Sequence, residues 1–191
     1  MELNIEKLQG WAKRVHQNAC AHGWHEEKKS DAHWLCMVIT EVAEAVEADR
    51  KGQRANTQAM RETLRIQKKG DIGLTERWYQ DWFPVYYNEY IKGSIDEEFA
   101  DICIRIFDFA FEKFGEGMKW WCYSMDFERR SFTETAHRFI TGVLNSDTMN
   151  LSESIAFMYE WAKYLGIDLD FHIEAKMRYN ESRPYKHGKA Y

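Results

Sequence analysis

From Glu98 to Phe111 the sequence reads EFADICIRIFDFAF, and its only polar residues are Glu98, Asp101, Arg105 and Asp108. At about 100° per residue those four fall within one arc of about 80°, and every other direction is Ile, Phe, Ala or Cys. A helix that is apolar around most of its circumference is buried, so the polar stripe points into protein. Buried carboxylates cost free energy unless they are paired, hydrogen-bonded or bound to a metal. Arg105, one turn beyond Asp101, is the single cation in a stripe that holds three acids.

A second acidic face lies upstream. His33 to Asp49 reads HWLCMVITEVAEAVEAD, with Leu35, Val38, Val42 and Val46 on one helical face. Thr40, Glu41, Glu44 and Glu47 share a polar arc of roughly 120° on the other. Glu41 and Glu44, at i and i+3, project side by side from adjacent turns. Two helices that each offer such a pair can close an all-oxygen cage when packed face to face. That donor set suits Mg²⁺, with Mn²⁺ as a substitute, and leaves positions for water and phosphate oxygens. The competing reading is that both rows are solvated faces of ordinary amphipathic helices.

Glu41-Val-Ala-Glu44 followed by Glu98-Phe-Ala-Asp101 resembles the ExxE…ExxD signature of the all-α, MazG-like nucleoside triphosphate pyrophosphohydrolases. That superfamily includes dimeric dUTPases, dCTP pyrophosphatases and phosphoribosyl-ATP pyrophosphohydrolase. The flanking EVAEAVEADRKG and EEFADICIRIFDFA also look like the family's helices, and KMRYNESRPYKHGKAY is similar to its closing tail. The similarity covers three blocks, residues 33–52, 95–112 and 172–191. Two departures stand out. Many members place a further Glu directly before the first motif Glu, where this chain has Thr40. The gap between the acidic blocks is long, so residues 53–94 read as an insertion in a single domain over 1–191.

The resemblance implies an all-α fold, a four-helix-bundle-type MazG-like architecture with an insertion and extra helices and no β-sheet. It implies Mg²⁺-dependent hydrolysis of the α–β phosphoanhydride of a nucleoside triphosphate to monophosphate and pyrophosphate. Glu41, Glu44, Glu98 and Asp101 would hold the metal, and one of them, or Glu47, would take a proton from water. Arg105 and Asp108 would orient those ligands. Lys176, Asn180 and Arg183 would hold the outer phosphates, with Lys189 and His187 as further candidates. Trp24, just before the acidic helix, would stand near the base, although simple packing explains it as well. Family members assemble as dimers or tetramers, so a homodimer or homotetramer is expected.

The chain of 191 residues is 45% hydrophobic and 15% aromatic, enough for one sizeable core. No run approaches the roughly 18 apolar residues of a membrane span, and Met1–Gly10 is too polar for a signal peptide. A cytoplasmic protein without membrane contact is expected. The formal net charge is −5, yet the last sixteen residues carry a local +4, which leaves −9 on the rest. An acidic body offers no broad basic face to a nucleic-acid backbone, so no nucleic-acid partner is expected. A short basic tail beside an acidic metal site does suit a polyphosphate. Cys20, Cys36, Cys103 and Cys122 lack CxxC spacing and read as reduced core thiols. His16, His22, His25, His33 and His172 show no ligand spacing to one another.

Periodicity and punctuation place helices over about 5–22, 32–50, 56–68, 95–114, 132–144, 151–164 and 168–179. Asp31 reads as one N-cap and Ser94 as another. The segment WYQDWFPVYYNEY has no clear period; packing explains Trp78, Trp82, Tyr86 and Tyr87, and a base pocket or oligomer contact is their other use. Two rival functions stay open. A carboxylate-bridged di-iron protein needs two Glu-x-x-His motifs, and this chain has Glu134-Thr-Ala-His137 alone. A non-catalytic helical interaction module would use the acid stripe as a docking face.

Overall fold

The computed structural model describes residues 4–70, 73–121, 127–128, 130–143 and 151–185. Among them there is no strand, and the fold is all-α. In chain order the helices are α1 (Ile5–Ala21), α2 (Asp31–Arg50), α3 (Thr57–Lys69), α4 (Glu76–Asp81), α5 (Phe83–Tyr90), α6 (Ile95–Phe114), α7 (Phe132–Arg138), α8 (Leu151–Tyr164) and α9 (Leu169–Glu181).

The architecture is organised around α6, which packs against α1, α2, α8 and α9. Its apolar circumference explains this position, since Phe99, Ile102, Ile106, Phe107 and Phe109 are all but inaccessible to solvent. Truncating a buried Phe of this kind to Ala costs about 3–5 kcal/mol. Helix starts follow side-chain chemistry: Asn4, Ser30, Asn56, Thr75, Ser94, Ser131 and Asp168 each accept a backbone N–H of the first turn. Each such cap contributes about 1 kcal/mol. The cap of α2 is Ser30, not Asp31, which forms the first helical residue. The predicted helix over 132–144 divides into α7 and a π-helical turn, Phe139–Val143.

Residues 53–94 form a closed excursion. The Ile95 N–H donates to Gln53 O at 3.0 Å, and the Asn56 N–H donates to Tyr90 O at 2.7 Å, so the two ends of the segment meet. Asp96 locks this junction, accepting from Arg54 Nε at 2.9 Å and from the Ala55 N–H at 3.2 Å. The aromatic segment becomes two short helices, broken where Trp82 ends α4 and Pro84 enters the first turn of α5. Met60, Trp78, Phe83, Tyr87 and Ile91 build a second small core against Ala175 and Tyr179 of α9. Trp78 and Tyr87 therefore serve packing, and Trp82 is exposed. No helix among the described residues is long and apolar enough to cross a membrane.

Two sequence expectations are corrected here. Cys20 and Cys36 are exposed, and only Cys103 is a core thiol among the described residues. Helical periodicity alone does not say which side of α1 or α2 is covered. Cys122, Lys189 and His187 lie outside the described residues.

Candidate functional site

The Ser94 cap starts α6 so that Glu97 and Glu98 face inward in its first turn. There α6 meets α2, and the two acidic rows converge. One carboxylate oxygen from each of Glu41, Glu44 and Glu98 lies within 4.8 Å of the other two. Glu41 and Glu98 are buried, whereas Glu44 is open to solvent. Cis and trans ligands of an octahedral Mg²⁺ stand about 3–4 Å apart, so this spacing is close to a coordination shell.

Burial and neighbouring acids disfavour the charged forms of the trio's buried members. Burial, then Asp101 and Glu97, raise the pKa of Glu98 from the ordinary 4.5 to about 9. Its Oε2 is buried and meets no hydrogen-bond partner among the described residues. Burial and Asp101 also raise Glu41, against the opposing pull of Arg105. Arg105 Nε donates to Glu41 Oε1 at 2.9 Å and so ties α6 to α2 directly across the site. Arg105, expected to orient the acids, is thus paired with one of them.

Asp101 behaves differently from expectation. Its Oδ2 is 2.6 Å from Lys176 Nζ, and the same ammonium lies 2.5 Å from Glu97 Oε1. Burial pulls the Lys176 pKa down, but Asp101 and Glu97 more than offset it, so the lysine stays charged. Lys176 faces the same cavity as the trio, as a phosphate-binding lysine would, but its ammonium is already engaged as the counter-ion of Asp101 and Glu97, because α9 packs on α6. Glu97 completes this knot, accepting also from Tyr87 Oη at 3.2 Å and from the Gly93 N–H at 2.5 Å. A buried acidic first turn is visible only once α9 is in place.

The trio borders a cavity of about 1020 Å³. Trp24, Asn180 and Arg183 line it, as expected of substrate-facing residues, and so do Lys92 and Arg14. Arg14 is held by Glu174 and Glu181. Lys92 and Arg183 have no carboxylate partner among the described residues; Lys92 Nζ lies 5.8 Å and the Arg183 guanidinium 5.7 Å from the Tyr179 ring centroid. Lys92 was missed, because a lone Lys beside a turn glycine carries no pattern. Trp34, Met37 and Ile104 give the cavity an apolar wall.

Two further expectations change. Glu47 is exposed, pairs with Arg50 and Lys51, and does not line the cavity, so it is not placed to take a proton there. Asp108 lines the same cavity, but the bonds its Oδ1 makes are to His16 Nδ1 at 2.9 Å and His25 Nε2 at 2.8 Å rather than to an acid of the trio or to Arg105. Glu134 closes a capping box with Ser131 and shares a separate surface groove with His137, away from the trio.

No family model, curated protein or solved structure matches the chain.

Proposed function

We propose that this cavity is the active site of a magnesium-dependent nucleoside triphosphate pyrophosphohydrolase of the MazG-like type. The observation that carries the reading is the convergence of Glu41, Glu44 and Glu98 from two helices, with a buried Glu98 oxygen unpartnered among the described residues. The donor set is all oxygen, which fits a hard divalent cation. Glu41, Glu44 and Glu98 would hold it. Bound there, such an ion neutralises phosphate oxygens and lowers the pKa of water.

The remaining steps belong to the chain's own residues. Lys92 and Arg183, which line the cavity, would meet the phosphates, with the Asn180 amide as a further contact. Arg105 holds Glu41 through its Oε1 and so restrains one acid of the trio. Lys176 holds Asp101 and Glu97 in place, which limits the negative charge facing an anionic substrate. Trp34, Met37 and Ile104 supply an apolar surface of the kind a base covers. The choice of the α–β bond, with monophosphate and pyrophosphate as products, comes from the ExxE…ExxD resemblance.

The deciding experiment incubates the protein with common and modified NTPs and dNTPs in Mg²⁺ and resolves products by ion exchange. Monophosphate plus pyrophosphate is expected. Diphosphate plus orthophosphate would make it a phosphatase, and no turnover would leave the binding-module reading.

A further inference from the structure

A second donor cluster lies at the opposite end of the polar stripe of α6. His16 and Cys20 stand one turn apart on α1, and His25 comes back to them from the loop that follows. One donor atom from each lies within 4.8 Å of the other two. Asp108 Oδ1 takes His16 Nδ1 at 2.9 Å and His25 Nε2 at 2.8 Å. One carboxylate oxygen thereby fixes both rings and turns His16 Nε2 and His25 Nδ1 toward Cys20 and Glu112. These two face a common space. Cys20 Sγ is 3.4 Å from His16 Nε2. Glu112 Oε2 is 3.3 Å from His25 Nδ1 and 3.8 Å from His16 Nε2.

We infer that His16 Nε2, His25 Nδ1 and Cys20 Sγ form a site for a borderline-soft divalent cation of the zinc class, with Glu112 as fourth ligand. Three features support this. Tetrahedral Zn²⁺ with ligands at its usual bond lengths has neighbouring donors about 3.3–3.5 Å apart; the Cys20–His16 and His25–Glu112 spacings of 3.4 and 3.3 Å match this, and the His16–Glu112 spacing of 3.8 Å requires a small inward shift of the Glu112 side chain. An imidazole that binds metal through one nitrogen while donating from the other to a carboxylate is the common orienting arrangement, and here Asp108 serves both rings. The mixed nitrogen, sulfur and oxygen set favours zinc over the magnesium expected at the all-oxygen trio. On binding, the Cys20 thiol loses its proton to solvent, as does any imidazole still carrying one.

The site would have a clear structural consequence. It ties the loop between α1 and α2 to α6, and that loop seats the C-terminal segment. His22 Nε2 is 2.8 Å from Arg183 O, and Tyr185 Oη donates to Glu26. The zinc site is thus built into the wall that brings Arg183 to the cavity.

Co²⁺ and then Zn²⁺ are titrated into chelator-stripped, full-length protein with Mg²⁺ saturating the acidic trio. One equivalent of Co²⁺ should produce a thiolate-to-cobalt charge-transfer band, and Zn²⁺ should displace it. Cys20→Ser, at an exposed position, should abolish the band. Asp108→Asn should weaken Zn²⁺ binding about 10–100-fold. Glu98→Gln should leave band and affinity unchanged, which separates this site from the proposed catalytic one. The inference is overturned if no band appears, if the band survives Cys20→Ser, or if Glu98→Gln removes it.

Discussion

Lys176 Nζ lies 2.6 Å from Asp101 Oδ2, so an acid of the second motif is neutralised by a lysine from α9. The same ammonium serves Glu97. Removing one partner of a buried ion pair typically costs about 3–5 kcal/mol, because the other charge is left uncompensated. Lys176→Met should fall in that range by urea unfolding, since it strands two acids. Adding Glu97→Gln should recover part of the loss. A single variant as stable as wild type would show that the ammonium is not the counter-ion that holds α9 to α6.

Glu98 gives stability a definite pH dependence. Unfolded, it ionises near 4.5; folded without metal, at about 9. The folded state therefore holds this proton more tightly. The contribution is full below about pH 4.5 and is lost as pH rises toward 9. Calorimetry in chelator should find the wild-type Tm falling relative to Glu98→Gln across that window. Mg²⁺ should reverse the trend, with a stabilisation that grows with pH as the cation replaces the proton. The variant itself should be inactive. Parallel curves for the two proteins would refute the raised pKa.

Much of this was legible in sequence, for physical reasons that also mark the limits. The apolar circumference of α6 fixed its burial, because a narrow polar stripe admits few packings, and the Ser94 cap fixed its start at Ile95. Glu41, Glu44 and Glu98 were legible because i, i+3 spacing sets which acids share a face. Lys176 was not, since a basic residue in a charged tail looks the same whether solvated or internal. Glu97 and Asp96 stand in the first turn of α6, where any acid complements the helix dipole, so only α9 and the loop at Arg54 reveal them as buried counter-ions. His16 and Cys20 do share a face at i, i+4, but His25 joins them through a turn at Gly23 that no periodicity describes. The aromatic segment hid two helices because each is too short to display a period.

Glu47 provides a negative control on the acidic row. It is exposed and paired with Arg50 and Lys51. Surface changes of this type fall within about ±0.5 kcal/mol. Glu47→Gln should leave Tm, kcat and KM near wild type, whereas Glu44→Gln, one turn earlier, should lose Mg²⁺-dependent turnover. A large loss of kcat in Glu47→Gln would return it to the proton-transfer role.

Gly23 tests whether the C-terminal segment binds substrate or performs chemistry. Its φ is +80°, a conformation that costs a residue with a Cβ about 1–3 kcal/mol. A Cβ there would also run into the Tyr185 ring. The ring is the movable partner, so Gly23→Ala should push Tyr185 off the loop and carry Arg183 away from the cavity. The acids of the trio lie on α2 and α6 and do not depend on that contact. Phosphate contacts made before the transition state act on binding, so KM should rise severalfold with kcat little changed. Deleting Arg183–Tyr191 should raise KM further in the same pattern. Equal losses of kcat at constant KM in both variants would make the segment part of the chemistry, and the assignment of Arg183 to phosphate binding would fail.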